Sequence, residues 1–393
     1  MNRGAVPCYF REIDMKKKKR KLFDELIEKH RREAVEPACV HFPKCGGCMF
    51  LDMAYGDQLE LKKDYLNGLF SGIFQFEHIE GSEPLGYRTR MDYVCAFGKM
   101  GLRERGSYRF VVDIESCPLL PERARVFYET TRPDILEVEG YNYLKHEGYL
   151  RYLVIRQAGF TGELMANLVV AAGDNRVEYL LEKMVSSADS VSLLLSDGLA
   201  DLSFGKEILT VKRGYIEEEF DGIRFKITPN AFFQSNSGVA LNVYRKIKSL
   251  TRGRVLDLYS GVGSISLYVS QAADLVTGVE MVEEAVVSAR ENCEINSVAN
   301  ADFICADSLH YMKDFDGRLD TLVLDPPRSG MHPDMIKHIN RVRPERIIYM
   351  SCNPAVFRNE LPLFEGYKIR SIEAFDMFPQ TPHVETLSFL ERG

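Results

Sequence analysis

A cysteine and two carboxylates in the C-terminal third of the chain have the types and spacing of a covalent catalytic site. Cys352 lies in the turn Ser351-Cys352-Asn353-Pro354, twenty-seven residues after Asp325. C5 of a pyrimidine is a poor nucleophile, but addition of a thiolate to C6 creates an enolate that can accept a methyl group at C5. A base must then remove the C5 proton, and Glu385 is the candidate, with His383 as the alternative. These residue types indicate methylation of a pyrimidine carbon.

A glycine-rich turn upstream indicates the ligand that would supply the methyl group. Val255–Leu258 predicts a buried strand, and Ser260-Gly261-Val262-Gly263 predicts a tight turn close to a ligand. Glu280, at the tip of the next predicted strand, is placed to accept hydrogen bonds from ribose hydroxyls. Ser266 stands where a dinucleotide-binding turn has a third glycine, and the Asp257 carboxylate would repel a pyrophosphate. S-adenosylmethionine is therefore favoured, and an NAD-dependent oxidoreductase is the alternative.

Four cysteines in the N-terminal third have a spacing suited to a metal centre. Cys39, Cys45 and Cys48 lie within ten residues, and the two glycines before Cys48 permit a tight wrap. Cys117, which precedes a proline, is our choice of fourth ligand, because Cys95 lies inside a strand-like pattern. A structural zinc ion is the alternative to an iron–sulfur cluster, although zinc sites usually contain a second Cys-x-x-Cys pair, which this sequence lacks.

The composition is that of an ordinary globular protein of two or three domains. The 393 residues carry a formal net charge of −7, so a nucleic-acid-binding surface must be a local patch. Residues 1–36 hold eleven Lys/Arg against seven Asp/Glu, and the run Lys16–Lys21 predicts a basic helix that either contacts phosphates or is simply solvated. Because no apolar run or signal peptide is evident, we expect a cytoplasmic protein that contacts no membrane.

The candidate catalytic residues follow strands of a predicted doubly wound, mainly parallel α/β sheet. From residue 255 onward, apolar strands alternate with amphipathic helices, and ligands of such sheets bind beyond the carboxyl ends of the strands. Asp257, Glu280, Asp307, Asp325 and Cys352 all fall at those predicted ends. This convergence is the strongest structural argument for a single site.

The middle of the chain has a different pattern. Short strands punctuated by glycines between residues 87 and 225 predict a largely antiparallel α+β domain, with arginines at 88–90 and 103–105 that are suited to RNA phosphates. We therefore divide the chain into a basic helical extension (1–36), a central cysteine-bearing, RNA-binding domain (37–225) and a methyltransferase domain (226–393). A predicted helix over 52–69 is a segment that can pack on the last of these.

From residue 39 to its end, the chain resembles the uracil-C5 RNA methyltransferases, which make 5-methyluridine in ribosomal or transfer RNA. The resemblance rests on six motifs: Cys39-x5-Cys45-Gly-Gly-Cys48, Phe232-Phe233-Gln234-x-Asn236, Asp257-Leu-Tyr-Ser-Gly-Val-Gly263, Asp325-Pro-Pro-Arg328, Ser351-Cys352-Asn-Pro354 and His383-Val-Glu385-Thr386. It implies a Rossmann-like methyltransferase sheet preceded by an antiparallel α+β domain that carries an iron–sulfur cluster. It also implies that Cys352 is the nucleophile that bonds to C6 and that Glu385 is the proton acceptor.

The same resemblance implies two cofactors. S-adenosylmethionine, or the target base, is surrounded in this interpretation by Gln234, Tyr259, Ser264, Glu280, Asp307 and Asp325. A [4Fe–4S] cluster is held by Cys39, Cys45, Cys48 and Cys117. Cytosine-C5 RNA enzymes carry a cysteine in the Asp-x-Pro-Cys element, and Arg328 at that position favours uracil.

The RNA target follows less directly from the sequence. Many relatives begin with a small β-barrel RNA-binding domain, and the 38 residues before Cys39 are too few for one. The cluster-bearing form without a barrel resembles ribosomal RNA enzymes, so a uridine of 23S ribosomal RNA is the expected substrate and the T-loop uridine of transfer RNA the alternative. Because the base must leave its stack, we expect a single-stranded segment to bind. We expect a monomer, and a non-catalytic iron–sulfur RNA-binding protein is the second alternative.

Overall fold

The computed structural model describes residues 21–174 and 176–393. The predicted basic run Lys16–Lys21 lies outside these ranges except for Lys21. Residues 21–30 are helical and are called helix α1 here. None of the helices in the two described ranges combines the length and apolar character that crossing a bilayer requires.

A seven-stranded sheet forms the centre of the chain. Its strands are β1 (Arg90–Ala96), β2 (Lys99–Arg103), β3 (Val111–Asp113), β4 (Leu150–Gln157), β5 (Leu164–Val170), β6 (Ser190–Leu195) and β7 (Lys206–Lys212). They lie in the order β3-β2-β1-β4-β5-β6-β7, and every neighbouring pair is antiparallel except β5 and β6. Helices α3 (Glu122–Leu136) and α4 (Glu178–Met184) cover one face with apolar side chains. The largely antiparallel arrangement agrees with the prediction.

A second seven-stranded sheet occupies the C-terminal half. Its strands are β10 (Arg254–Leu258), β11 (Leu275–Glu280), β12 (Ala301–Cys305), β13 (Thr321–Leu324), β14 (Arg346–Ser351), β15 (Tyr367–Phe375) and β16 (Glu385–Arg392). The order is β12-β11-β10-β13-β14-β16-β15, and β10 to β14 are parallel to one another, whereas β16 runs antiparallel to both of its neighbours. This is the doubly wound, mainly parallel sheet that the sequence predicts, and its carboxyl ends share one edge.

Helices cover both faces of this second sheet. Helices α5 (Ser237–Leu250), α6 (Ser264–Val269) and α7 (Glu283–Ile295) pack on one face, and α8 (Ser308–Asp314), α9 (Pro333–Val342) and α10 (Pro354–Glu360) pack on the other. Two short 3₁₀ turns, Ser270–Ala272 and Leu361–Leu363, follow α6 and α10. Helix α5 begins with a side-chain cap: the Asn236 side chain accepts a hydrogen bond from the Val239 amide.

Several segments from the first 227 residues pack on the second sheet rather than on the central one, among them helix α1 through Phe23 and Leu26, helix α2 and one β-hairpin. Helix α2 (Tyr55–Leu69) buries Leu61 and Leu66 completely in the core that also contains Leu256 and Leu322 of the second sheet. Full burial of each leucine contributes about 1.5–3 kcal/mol. The hairpin formed by β8 (Ile216–Phe220) and β9 (Ile223–Ile227) joins the core beneath α5 and α7. These segments therefore help to hold the second sheet against the central domain.

Candidate active site

One large cavity, of about 1240 Å³, lies at the carboxyl ends of the parallel strands. It also faces the cysteine-containing loop and the start of the central sheet. Of the residues predicted for catalysis and cofactor binding, the cavity is lined by Gln234, Tyr259, Ser264, Glu280, Asp325, Cys352 and Glu385. Side chains from distant positions in the sequence thus meet at a single site, which is formed by the ends of β10, β11, β13 and β14 and the beginning of β16.

Glu280 is hydrogen-bonded to the glycine-rich turn that follows β10. One carboxylate oxygen of Glu280 accepts a hydrogen bond from the Gly261 amide at 3.0 Å, and the other accepts one from the Val282 amide at 2.9 Å. Gly263 has φ +76, and a Cβ there would stand 2.5 Å from the Phe303 ring. A carboxylate has about four acceptor positions, so Glu280 retains capacity for hydroxyl groups of a ligand.

Asp307 does not line the cavity. Its side chain caps helix α8, where it accepts a hydrogen bond from the His310 amide at 2.9 Å. Asp307 lies close enough to Tyr259 to act on it: burial, and secondarily the negative charge of Asp307, raises the pKa of Tyr259 to about 12. The structure therefore places Asp307 near Tyr259 and outside the cavity lining.

A buried carboxyl group lies beneath the glycine turn. Asp257 is 1% exposed, accepts a hydrogen bond from the Ser266 hydroxyl at 2.5 Å, and has a second carboxylate oxygen without a hydrogen-bond partner. Burial, with Asp325 and Glu280 nearby, raises the pKa of Asp257 to about 7. Loss of hydration also raises the pKa of Asp325 to about 7. Buried negative charge of this kind favours a cationic ligand.

Cys352 also lies near acidic side chains, those of Glu385 and Asp325. Burial raises the pKa of its thiol to about 11, the charges of Glu385 and Asp325 act in the same direction, and the Arg328 guanidinium opposes them. Burial, followed by the charge of Asp325, also raises the pKa of Glu385 well above its usual range. Without a ligand, burial and the neighbouring carboxyl groups therefore disfavour the ionised forms of both Cys352 and Glu385. A cation in the cavity would shift both toward their ionised forms.

One wall of the cavity is basic. It includes Arg88, Arg90, Arg103 and Arg105, of which Arg90 is ion-paired with Asp92 and Arg103 with Asp201. Phe232, at the same cavity, is 67% exposed. A wall of guanidinium groups with an exposed aromatic ring suits a phosphate backbone and an unstacked base.

The four predicted cluster cysteines lie around a second, small cavity of about 20 Å³, which is lined by Cys39, Cys45, Cys48 and Cys117. Cys95 is buried in β1 and does not line this cavity. Burial and the neighbouring thiolates raise the pKa of Cys48 to about 12 and that of Cys117 to about 11. Among the residues that the structure describes, His, Cys, Asp and Glu side chains form no group of three or more suited to holding a metal ion.

Gly46 lets the cysteine-containing loop approach the central sheet. Its amide donates to the Arg103 carbonyl at 2.9 Å, and a Cβ at this position would stand 2.8 Å from that oxygen. The loop is thereby fixed beside the basic wall of the large cavity.

Comparisons with known proteins give consistent results. Residues 199–393 match the family model of tRNA (Uracil-5-)-methyltransferase. A tRNA (uracil(54)-C(5))-methyltransferase of Pyrococcus horikoshii is 38% identical over 355 residues, which are 90% of this chain and 85% of that protein. An uncharacterised RNA methyltransferase of Thermotoga maritima is 36% identical and covers 93% of this chain and 87% of its own length.

A solved structure extends this similarity to three dimensions. The crystal structure of Pyrococcus abyssi tRNA (uracil-54, C5)-methyltransferase in complex with S-adenosyl-L-homocysteine matches with a TM-score of 0.78 at 34% sequence identity. The match covers 88% of this chain and 86% of that one. The similarity therefore spans nearly all of both chains.

Proposed function

We propose that this chain, which belongs to the uracil-C5 RNA methyltransferase family, methylates the T-loop uridine at position 54 of transfer RNA. The family membership makes it an S-adenosylmethionine-dependent enzyme that acts on C5 of uracil in RNA. The expectation of 23S ribosomal RNA is less well supported, because the Pyrococcus relatives are named for uracil 54 of tRNA. The observation that carries the proposal is the meeting of Cys352, Glu385 and Asp325 in one cavity that also has a basic wall.

Cys352 acts as the nucleophile in this proposal. The Cys352 thiol loses its proton to water, and the thiolate bonds to C6. The electron pair of C5=C6 then forms C4=C5 and that of C4=O4 moves to O4, which gives an enolate with a nucleophilic C5. Arg328 assists because its positive charge lowers the pKa of the Cys352 thiol. After methylation, the Glu385 carboxylate removes the C5 proton, and the electron pair of that C–H bond re-forms C5=C6 and expels the Cys352 sulfur.

The residues around the cavity fit S-adenosylmethionine. The chemistry that this ligand supplies when bound is an electrophilic methyl group and a positive sulfonium charge, which lowers the pKa values of neighbouring acids and thiols. The acidic set of Asp257, Glu280 and Asp325 suits a cation without a phosphate. We propose that the ligand is held by Gln234, Tyr259, Ser264, Glu280 and Asp325. Asp307 stays a predicted ligand, because it lies beside Tyr259 but outside the cavity.

We also propose that Cys39, Cys45, Cys48 and Cys117 bind a [4Fe–4S] cluster. The four thiols surround one cavity in which burial disfavours free thiolates, so cationic iron would offset an unfavourable arrangement. Zinc is the less favoured occupant, because structural zinc sites usually contribute a second Cys-x-x-Cys pair, which this sequence lacks. Bound iron would cross-link the loop, and methylation itself needs no redox step.

The tRNA assignment is tested with matched transcripts. Purified protein is incubated with methyl-labelled S-adenosylmethionine and either a tRNA transcript, the same transcript with cytidine at position 54, or 23S ribosomal RNA. We expect label in the first RNA alone. Label in ribosomal RNA but not in tRNA would overturn the tRNA assignment and restore the first expectation. Equal labelling of both tRNA transcripts would show that another nucleotide is the target.

The cluster assignment is tested by iron content. Anaerobically purified Cys117→Ser should lose iron and visible absorbance, whereas Cys95→Ser, which changes a buried cysteine of β1 outside the small cavity, should retain both. Equal iron content in the two variants would exclude Cys117 as a ligand.

A further inference from the structure

The loop that precedes Glu385 is anchored by hydrogen bonds and an ion pair to other segments of the chain. This loop, residues 376–384, connects β15 to β16 and is called the base loop here. Its last part and Glu385 itself line the large cavity. Glu385 pairs with Phe375 of β15, and Thr386 pairs with Ser351 of β14, so the ladder to β14 supports the chain only from residue 386 onward. The base loop joins the paired residues Phe375 and Glu385, so the way it is anchored contributes to the orientation of Glu385.

Gln380 is the anchor of the base loop. It is 5% exposed and has φ +68, a left-handed conformation that is rare for residues other than glycine. Its carbonyl accepts hydrogen bonds from the amides of Met49 and Phe50 at 2.6 and 3.1 Å. Its side-chain nitrogen donates to the Pro84 carbonyl at 3.2 Å. The residues directly after Cys48 are thus tied to the base loop through one backbone oxygen.

Gln58 of helix α2 completes the connection. Its amide nitrogen donates to the Gln380 side-chain oxygen at 2.9 Å, and its amide oxygen accepts from the Gln380 backbone at 3.0 Å. The same nitrogen also donates to the carbonyls of Phe50 and Met53 at 3.2 and 2.9 Å. One fully buried amide therefore joins the cysteine loop, helix α2 and the base loop.

A buried ion pair fixes the other end of the base loop. Lys62 and Asp376 are both 0% exposed at their side chains and lie 2.5 Å apart, and Lys62 also donates to the Phe378 carbonyl. Residues 376 and 378 are therefore held by α2 independently of Gln380. Disruption of the Gln58–Gln380 contact would loosen the base loop at residue 380 while leaving the start of the loop in place. The backbone carbonyls of Pro379 and Gln380 keep their own partners, the Tyr87 hydroxyl and the amides of Met49 and Phe50.

We propose that Gln380, clamped by Gln58, is a positioning residue for proton removal, through which the cysteine loop sets the location of Glu385. This proposal rests on the function proposed above. Cys352 follows β14 and is positioned by the parallel strands, so formation of the sulfur–C6 bond and methylation do not depend on this contact. The following step does: the C5–H bond breaks, its proton passes to Glu385, and the released electron pair expels the Cys352 sulfur from C6. Misplacement of a catalytic group by about 1 Å can slow a step about 100-fold.

The test compares two variants with a matched control. Gln58→Leu removes the clamp, and Gln380→Gly removes only the Gln380 side chain while tolerating positive φ. Asn67→Leu serves as the control, because Asn67 lies on the same helix and makes the same kind of reciprocal amide contact, but with Phe76. Single-turnover reactions with C5-tritiated tRNA and methyl-labelled S-adenosylmethionine measure methyl transfer, tritium release and RNA that stays bound to protein in SDS.

The proposal predicts a step-specific defect. In Gln58→Leu and Gln380→Gly, tritium release should fall at least tenfold, methyl transfer should fall less than threefold, and an SDS-resistant protein–RNA complex should accumulate. Asn67→Leu, whatever its effect on the melting temperature, should keep the wild-type ratio of the two labels. An equal loss of both labels in the two clamp variants, or an altered ratio in Asn67→Leu, would overturn the positioning role. Absence of tritium release from the wild-type protein would instead refute the proposed function.

Discussion

The acidic surrounding of Cys352 predicts how its reactivity depends on pH. With a pKa of about 11, the fraction ionised at pH 7.5 is ten raised to (7.5 − 11), or about 0.03%. A thiol at the ordinary value of 9.0 would be ionised to about 3%. In the ligand-free protein, Cys352 should therefore react about a hundredfold more slowly at pH 7.5 than an unperturbed thiol, and its rate should rise about tenfold per pH unit up to about pH 10.

Two substitutions should move this profile in opposite directions. Glu385→Gln removes a negative charge that raises the pKa of Cys352, so the thiol should react faster at pH 8. Arg328→Gln removes a positive charge that lowers this pKa, so the thiol should react more slowly. Burial is the largest cause of the raised pKa and remains in both variants, so neither profile should become that of a free thiol.

The assay is alkylation by iodoacetamide followed by mass spectrometry of the peptide that contains Cys352. Pulses at pH 7 to 10.5 give the rate, and the exposed Cys305 of the same chain monitors the reagent in each sample. A plateau in the Cys352 rate below pH 9 would refute the raised pKa. Shifts of the two variants in the same direction would refute the assignment of its electrostatic causes.

Three further predictions concern stability. The raised pKa of Asp257, about 7 against 3.8, means that the folded state holds a proton that the unfolded chain has lost between these values, so this group's contribution to stability declines by about 3 kcal/mol as the pH rises from 4 to 7. In urea titrations, Asp257→Asn should gain stability relative to wild type over that range, and a constant difference would contradict this prediction. Gly278→Ala places a Cβ 2.4 Å from a phenylalanine ring and should lower the free energy of unfolding by about 1–3 kcal/mol. Gly68→Ala, in α2 with open space around it, should raise the free energy of unfolding by about 0.5–1 kcal/mol, and thermal denaturation measures both changes. Lys62→Met leaves Asp376 buried without its cation and should lower the free energy of unfolding, measured in urea, by about 3–5 kcal/mol. A loss below about 1 kcal/mol would show that water reaches the pair.

Much of the C-terminal sheet could be predicted from the sequence because its strands are short apolar runs with polar residues at their ends. The apolar run Thr321–Leu324, for example, is strand β13 and ends directly before Asp325. Parallel strands place their carboxyl ends on one edge, so Glu280, Asp325 and Cys352 were expected to meet, and they do.

Other features depend on tertiary contacts that local patterns do not record. Helix α3 was missed in a region where we predicted mainly strands and turns, and it contains Pro133. Asp307 was expected at the ligand site, but its carboxylate caps α8, a local role that a strand-end position cannot distinguish from ligand binding. The Gln58–Gln380 contact joins residues 322 positions apart, and neither residue belongs to a motif that sequence reasoning could recognise.

The most direct test of uracil-C5 methylation through Cys352 and Glu385 is tritium release from tRNA labelled at C5 of uridine. Wild-type protein with S-adenosylmethionine should release tritium to water in proportion to the methyl groups transferred. Cys352→Ala should release none, and Glu385→Gln should retain the tritium in a covalent protein–RNA complex. Methyl transfer without tritium release from the wild-type protein would place the methyl group on another atom and contradict the account.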